Sequence, residues 1–185
     1  MRLFVAIEPT PGFSEALINL QERLQAAGVT GRFSNPDGLH MTLAFIGEWP
    51  EEITDVLPVV RNAFSITLSH LGIFPEANVL WAGIEPSSEL DNLAKRVRKS
   101  LADNGIPFDR KNFNPHITLA RKPFIPERVT LSEIDVPHVS MIVDDVSLYR
   151  SDRGKNGMIY SVIGSSGQQD KDKAENVCEE SGNDE

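Results

Sequence analysis

The chain starts twice, and that repetition limits its folds more than any other feature. Leu3-Phe4-Val5-Ala6-Ile7-Glu8-Pro9 returns as Leu80-Trp81-Ala82-Gly83-Ile84-Glu85-Pro86, with Leu, Ile, Glu and Pro matched at an offset of 77 residues. The register persists into the segments that follow. Phe13, Leu17, Leu20 and Leu24 recur at helical spacing, as do Leu90, Leu93, Val97 and Leu101, and Gly28 and Gly105 stand 77 apart where each helix should stop. Two copies are too few for a stacked array, which needs about three units to bury a continuous core. Two halves packed about a pseudo-twofold axis fit instead, with equivalent strands facing each other and their shared side chains converging on the axis.

The repeat's later part carries the chemistry. "LHMTLAFIG" at 39–47 is answered by "PHITLARKP" at 115–123, so His40-x-Thr42 and His116-x-Thr118 lie in one apolar frame at an offset of 76. A one-residue deletion in the connecting loop reconciles the two registers. Side chains alternate along a strand with period two. His40, Thr42 and Ala44 are therefore expected on one face, with Met41, Leu43 and Phe45 on the core face. In the second copy His116, Thr118 and Ala120 share the open face. Each strand then presents an imidazole and a hydroxyl beside a small residue that leaves room for a ligand.

Outside the motifs, 2–8 and 65–74 read as strands and 80–86 as another. Residues 32–38 are dense in turn formers, and 48–64 reads as a short or broken helix because Pro58 interrupts it. "VSMIVDDVSLYR" at 139–150 and "GMIYSVIG" at 157–164 read as two strands joined as a hairpin across "SDRGKNG".

Composition excludes several classes. The longest apolar stretches fall far short of the roughly 20 residues needed to span a bilayer, and the N-terminal apolar run is too short for a secretory leader, so the expected compartment is the cytoplasm. Cys178 is the one cysteine, which excludes a disulfide framework and a thiolate metal cluster. Of the net charge of −9, residues 165–185 hold two Lys against seven Asp or Glu. Residues 1–164 are expected to form one domain and 165–185 a disordered acidic tail. The mildly acidic body offers no broad basic face for long nucleic acid, though a nucleotide or an RNA end remains suitable.

Two imidazoles fall short of the three or four protein ligands zinc usually takes, and Thr is a poor zinc ligand; His70 and His138 share no context with the pair. A Thr nucleophile would need a base aimed at it, whereas a His two residues away points alongside. Acid-base catalysis fits best: one imidazole as base, an opposed imidazolium as acid, and hydroxyls to hold the oxygens of a phosphodiester. No cofactor or metal is expected. A non-catalytic module holding a nucleotide or RNA end would use the same residues.

With "RLFVAIEP", "LWAGIEP", "HMTL" and "PHITLAR" together, residues 1–163 resemble the two-histidine (2H) phosphoesterase superfamily. More closely, they resemble its RNA 2',3'-cyclic phosphodiesterases, also called 2',5'-RNA ligases. The resemblance implies an α+β fold of two lobes, antiparallel sheets flanked by helices around a central cleft. It implies metal-independent opening of a 2',3'-cyclic phosphate at an RNA end to a 2'-phosphate, with weak reverse 2',5' ligation. The sibling activity is hydrolysis of small cyclic nucleotides of the ADP-ribose cyclic phosphate type. His40 would be the proton donor, His116 the acceptor, and Thr42 and Thr118 phosphate ligands. Arg121 matches an arginine that some members place near the phosphate, but strict alternation points it away from His116, so the strand must end or twist there. Phe33 and Phe113, in the loops before each motif, are candidates to stack a base. A monomer is expected, because the halves already supply a twofold surface.

Overall fold

The computed structural model of the chain describes residues 1–167. Nine strands and two long helices follow in the order β1 (Arg2–Ile7), α1 (Pro11–Ala26), β2 (Thr30–Phe33), β3 (Met41–Glu48), β4 (Phe64–Phe74), β5 (Val79–Ile84), α2 (Ser88–Asp103), β6 (His116–Phe124), β7 (Ser140–Val143), β8 (Ser147–Gly154) and β9 (Gly157–Ser165). They form two sheets, β3-β1-β8-β9 and β2-β6-β5-β4-β7, in which every pairing is antiparallel.

The repeat is visible in this order. Each motif strand pairs with its own half's opening strand, β3 with β1 and β6 with β5. The two motif strands also touch each other between the sheets. The halves are not separable, however: β2 leaves the first half to edge the second sheet, and β8 and β9 return to complete the first.

Both helices end as their glycines require. Gly28 and Gly105 adopt φ of 102° and 69°, which side chains resist and glycine accepts. At its start α2 is capped by Ser87, whose Oγ accepts the Leu90 N–H at 3.2 Å. Leu17, Leu20 and Leu24 of α1 join Leu93, Val97 and Leu101 of α2 and both sheets in one continuous core. β1 is buried on both faces, since Leu3, Val5 and Ile7 enter that core while Phe4 and Ala6 pack with Tyr149 on the other side. Its unbroken apolar run follows from this.

Four local expectations change. Arg32 and Phe33, read as the start of a turn-rich segment, belong to edge strand β2, whose partner β6 is distant in sequence. The helix expected within 48–64 is a single 3-10 turn, Thr54–Val56, flanked by buried Ile53 and Leu57. The segment 139–150 splits into β7 and β8, one in each sheet. The β8–β9 hairpin is tighter than expected, with Gly154 opposite Gly157 and only Lys155 and Asn156 at its tip. Ser165 closes β9 and Ser166 is fully buried, its Oγ donating to Asp145 at 2.6 Å. The Gly167 N–H also donates to Asp145, at 2.8 Å; residues 168–185 of the expected tail, with Cys178, lie outside the described residues.

Candidate active site

β3 and β6 each depart from strict alternation at the same place. Along β3, Val5 pairs with Ala44 but Ala6 pairs with Thr42, leaving Leu43 as an extra residue. Along β6, Leu80 pairs with Ala120 but Trp81 pairs with Thr118, leaving Leu119 extra. These bulges shift the facing of everything after them. Leu43, Ala44, Leu119 and Ala120 are all buried in the core, and Phe45 and Arg121 turn out of it. The expected placement of Ala44 and Ala120 beside the ligand, and of Phe45 in the core, is therefore corrected. The same shift brings Arg121 to the side of His116 and Thr118 that alternation had denied it.

At each bulge a helix side chain donates to the carbonyl of the extra residue, since buried carbonyls need partners. The Leu43 carbonyl accepts from Arg98 Nε of α2 at 3.1 Å, and the Leu119 carbonyl accepts from Gln21 Nε2 of α1 at 3.0 Å as well as from the Ser34 N–H at 2.8 Å. Gln21 and Arg98 are themselves 77 residues apart. Each helix therefore reaches out of its own half of the sequence to fasten the bulge of the other half's motif strand. Each also holds the loop leading into its own half's motif strand, Gln21 through the Ser34 carbonyl at 2.9 Å before β3 and Arg98 through that of Lys111 at 2.7 Å before β6.

The histidines are fixed by matching bonds. His40 Nδ1 lies 2.7 Å from the Gly38 carbonyl and His116 Nδ1 2.7 Å from the Asn114 carbonyl. A carbonyl only accepts, so each Nδ1 carries the hydrogen and each Nε2 is left for other work. Beneath each ring lies the aromatic at the second position of the repeated opening strand: Phe4 at 4.7 Å from His40 and Trp81 at 6.2 Å from His116, between ring centroids. Tyr160 at 5.0 Å and Tyr149 at 5.6 Å complete the surroundings of His40, and Phe74 meets His116 edge-on at 4.8 Å.

Burial among these rings lowers the His40 pKa from 6.5 to about 4, against the raising effect of the Gly38 bond, with further lowering by the charges of Arg121 and His116. The His116 pKa is also lowered, again mainly by burial and further by Arg121. His40, His116 and Arg121 thus feel one another's charge. Tyr149 is pushed above the usual phenol range by burial and by Glu8, so it stays a neutral donor.

A cavity of about 370 Å³ opens over His40 and Thr42, with Phe45, Arg121 and Tyr160 in its walls. Thr118 is half-buried on β6, on the face of His116. Phe33 does not reach this cavity but lines a groove beside it. Phe113 is not brought to either: it stands under the Arg98 guanidinium, 5.8 Å from its centroid, in a separate pocket along α2. Phe45, Phe4, Trp81, Gln21 and Arg98 were missed in the sequence. Four of the five occupy matched positions of the repeat, a signal that aligning the halves residue by residue would have exposed. Among the described residues no group of three or more His, Cys, Asp or Glu stands together to hold a metal ion. No helix there is long and apolar enough to cross a membrane.

Comparison with known proteins gives one direction. The sequence model of the 2'-5' RNA ligase superfamily matches residues 13–155. The chain is 30% identical to the RNA 2',3'-cyclic phosphodiesterase of Thermotoga maritima, over 88% of this chain and 93% of that protein. It is 31% identical to the protein of the same name from Aquifex aeolicus, over 88% and 95%. Among solved structures, Escherichia coli LigT complexed with 3'-AMP aligns with a TM-score of 0.73 at 27% identity, covering 89% of this chain and 95% of that one. Protein TT0787 of Thermus thermophilus aligns with a TM-score of 0.71 at 28% identity, covering 89% and 96%.

Proposed function

Because the chain belongs to the 2'-5' RNA ligase superfamily, we propose that it hydrolyses the 2',3'-cyclic phosphate of an RNA end to a 2'-phosphate, without metal, by the paired action of His40 and His116. The observation that carries this reading is the duplicated geometry. Two imidazoles, each pinned through Nδ1 to a carbonyl and each with Nε2 unengaged by any described residue, stand within electrostatic reach of one another and of Arg121. The names of the relatives supply the bond to be broken.

His116 Nε2 takes a proton from water as the water oxygen attacks phosphorus. The bond from phosphorus to the 3'-oxygen breaks, and His40 Nε2 gives its proton to that oxygen. The product carries a 2'-phosphate and a 3'-hydroxyl, and the proton gained by His116 returns to His40 through solvent. Thr42 and Thr118 bind the non-bridging oxygens, and Arg121 adds a fixed guanidinium to the charge that grows in the transition state. With both imidazoles held toward neutrality in the free site, the arriving phosphodiester anion supplies the negative charge that favours a proton on one of them. With the 5'-hydroxyl of a second RNA end attacking in place of water, the same steps form a P–O5' bond as the P–O3' bond breaks, a weak 2',5' ligation. Phe45, exposed at the cavity wall, offers an aromatic face to the terminal base. We take the enzyme to work as a cytoplasmic monomer.

The test is incubation, in excess EDTA, with a short RNA ending in a 2',3'-cyclic phosphate, beside His40→Ala and His116→Ala. The expected result is a 2'-phosphate end from the wild type and a loss in either variant at the upper part of the roughly 10²–10⁴-fold range of acid-base catalysis, with the fold retained by circular dichroism. An active single variant would exclude the paired mechanism. RNA bound without product would indicate a binding module.

A further inference from the structure

Beside the cavity over His40 lies a larger groove of about 620 Å³, and the two share Arg121, Met158 and Tyr160 as a common wall. Its far side is made by Arg32 on β2 and Arg153 on the β8–β9 hairpin, with Phe33 and Asn156. β2 carries Arg32 directly across the sheet from Arg121 of β6. Opposed residues of an antiparallel pair project from the same face at short range, and like charges placed so are destabilising. The chain accepts that cost although it is acidic overall.

None of the three arginines is neutralised by a described residue. Arg23 and Arg150 bond carboxylates, and Arg96, Arg98 and Arg128 bond carbonyls. The guanidiniums of Arg32, Arg121 and Arg153 have neither an ion pair nor a hydrogen bond to any described residue. Asp37, also at the groove, pairs with none of them. Three unpaired guanidiniums beside half-buried Phe33 and Tyr160 match the chemistry of a single RNA strand, with phosphates for the guanidiniums and base faces for the rings.

We propose that this groove binds the RNA strand immediately 5' of the cyclic end. Arg32 and Arg153 hold its phosphodiesters, and Phe33 or Tyr160 holds the penultimate base. The inference rests on the function proposed above and deepens it: the enzyme is built for the end of an oligonucleotide, and a cyclic mononucleotide fills the catalytic cavity alone. Arg121 belongs to both sites, whereas Arg32 and Arg153 belong to the groove.

The test compares 2',3'-cyclic AMP with a tetraribonucleotide ending in the same cyclic nucleotide, for wild type and Arg32→Ala/Arg153→Ala. Wild type is expected to show the higher kcat/KM on the tetranucleotide. The double variant should lose that advantage through KM, with kcat and the mononucleotide reaction unchanged. It should also flatten the dependence of log KM on log salt by about 1.4, from two phosphate contacts at roughly 0.7 each. Equal behaviour of wild type and variant on the tetranucleotide would overturn the groove, and so would equal loss on both substrates. If wild type turns over neither substrate, the proposed activity fails. The groove is then judged by equilibrium binding of a tetranucleotide ending in 2'-phosphate, which the double variant should weaken; unchanged binding would overturn it.

Discussion

His40 is neutral in the folded protein at a pH where a free histidine is half charged, because Phe4, Tyr149 and Tyr160 replace water around it. Stability therefore depends on pH. With a folded pKa of about 4 against 6.5 unfolded, the unfolded chain binds the extra proton between those values. The contribution is complete above pH 6.5 and is lost as pH falls toward 4, amounting to about 3 kcal/mol at most. His116 acts in the same direction. Urea unfolding followed from about pH 7.5 to about pH 4.5 should show a midpoint that declines through this window. In His40→Gln the decline should be shallower; an identical slope would show that the histidine is solvated in the folded state.

At the scale of elements, the reciprocal bonds of Gln21 and Arg98 connect the helices to the chemistry. Arg98→Met removes the side-chain donor of the Leu43 carbonyl, at a cost of about 1–3 kcal/mol, and Gln21→Leu costs less, because the Leu119 carbonyl keeps the Ser34 N–H. Since the bulge aims the residues around it, kcat should fall in both variants while the circular dichroism spectrum stays native. A stability loss with kcat intact would make the bonds structural alone. The same feature explains what could be read from sequence and what could not. β1, both helices and the motif strands follow periodicities local to each segment, and the His-x-Thr pair was legible because it precedes the bulge. Phe45 and Arg121 were placed by alternation that the bulge interrupts, and a bulge depends on the partner strand. β2, a short strand with an internal glycine, is a strand only because β6 is beside it.

Over the whole molecule, duplication accounts for both the fold and the site. Two copies of a strand, helix and motif strand share one core, and exchange of β2 against β8 and β9 ties them into one body. Near-symmetry offers two equivalent imidazoles, while hydrolysis needs one acid and one base. The surroundings break the tie in kind, with three rings around His40 and two around His116. That the duplication converges on a cleft was legible from the matched offsets; the exchange of strands was not, since no local signal records which sheet an edge strand joins. The division of labour is tested most directly with an RNA end whose cyclic phosphate carries sulfur in place of the 3'-bridging oxygen, because a thiolate departs without being protonated. Turnover of this substrate should be restored in His40→Ala to near the wild-type rate and remain lost in His116→Ala. Restoration in His116→Ala alone would reverse the roles, and restoration in neither would contradict acid-base catalysis by the pair.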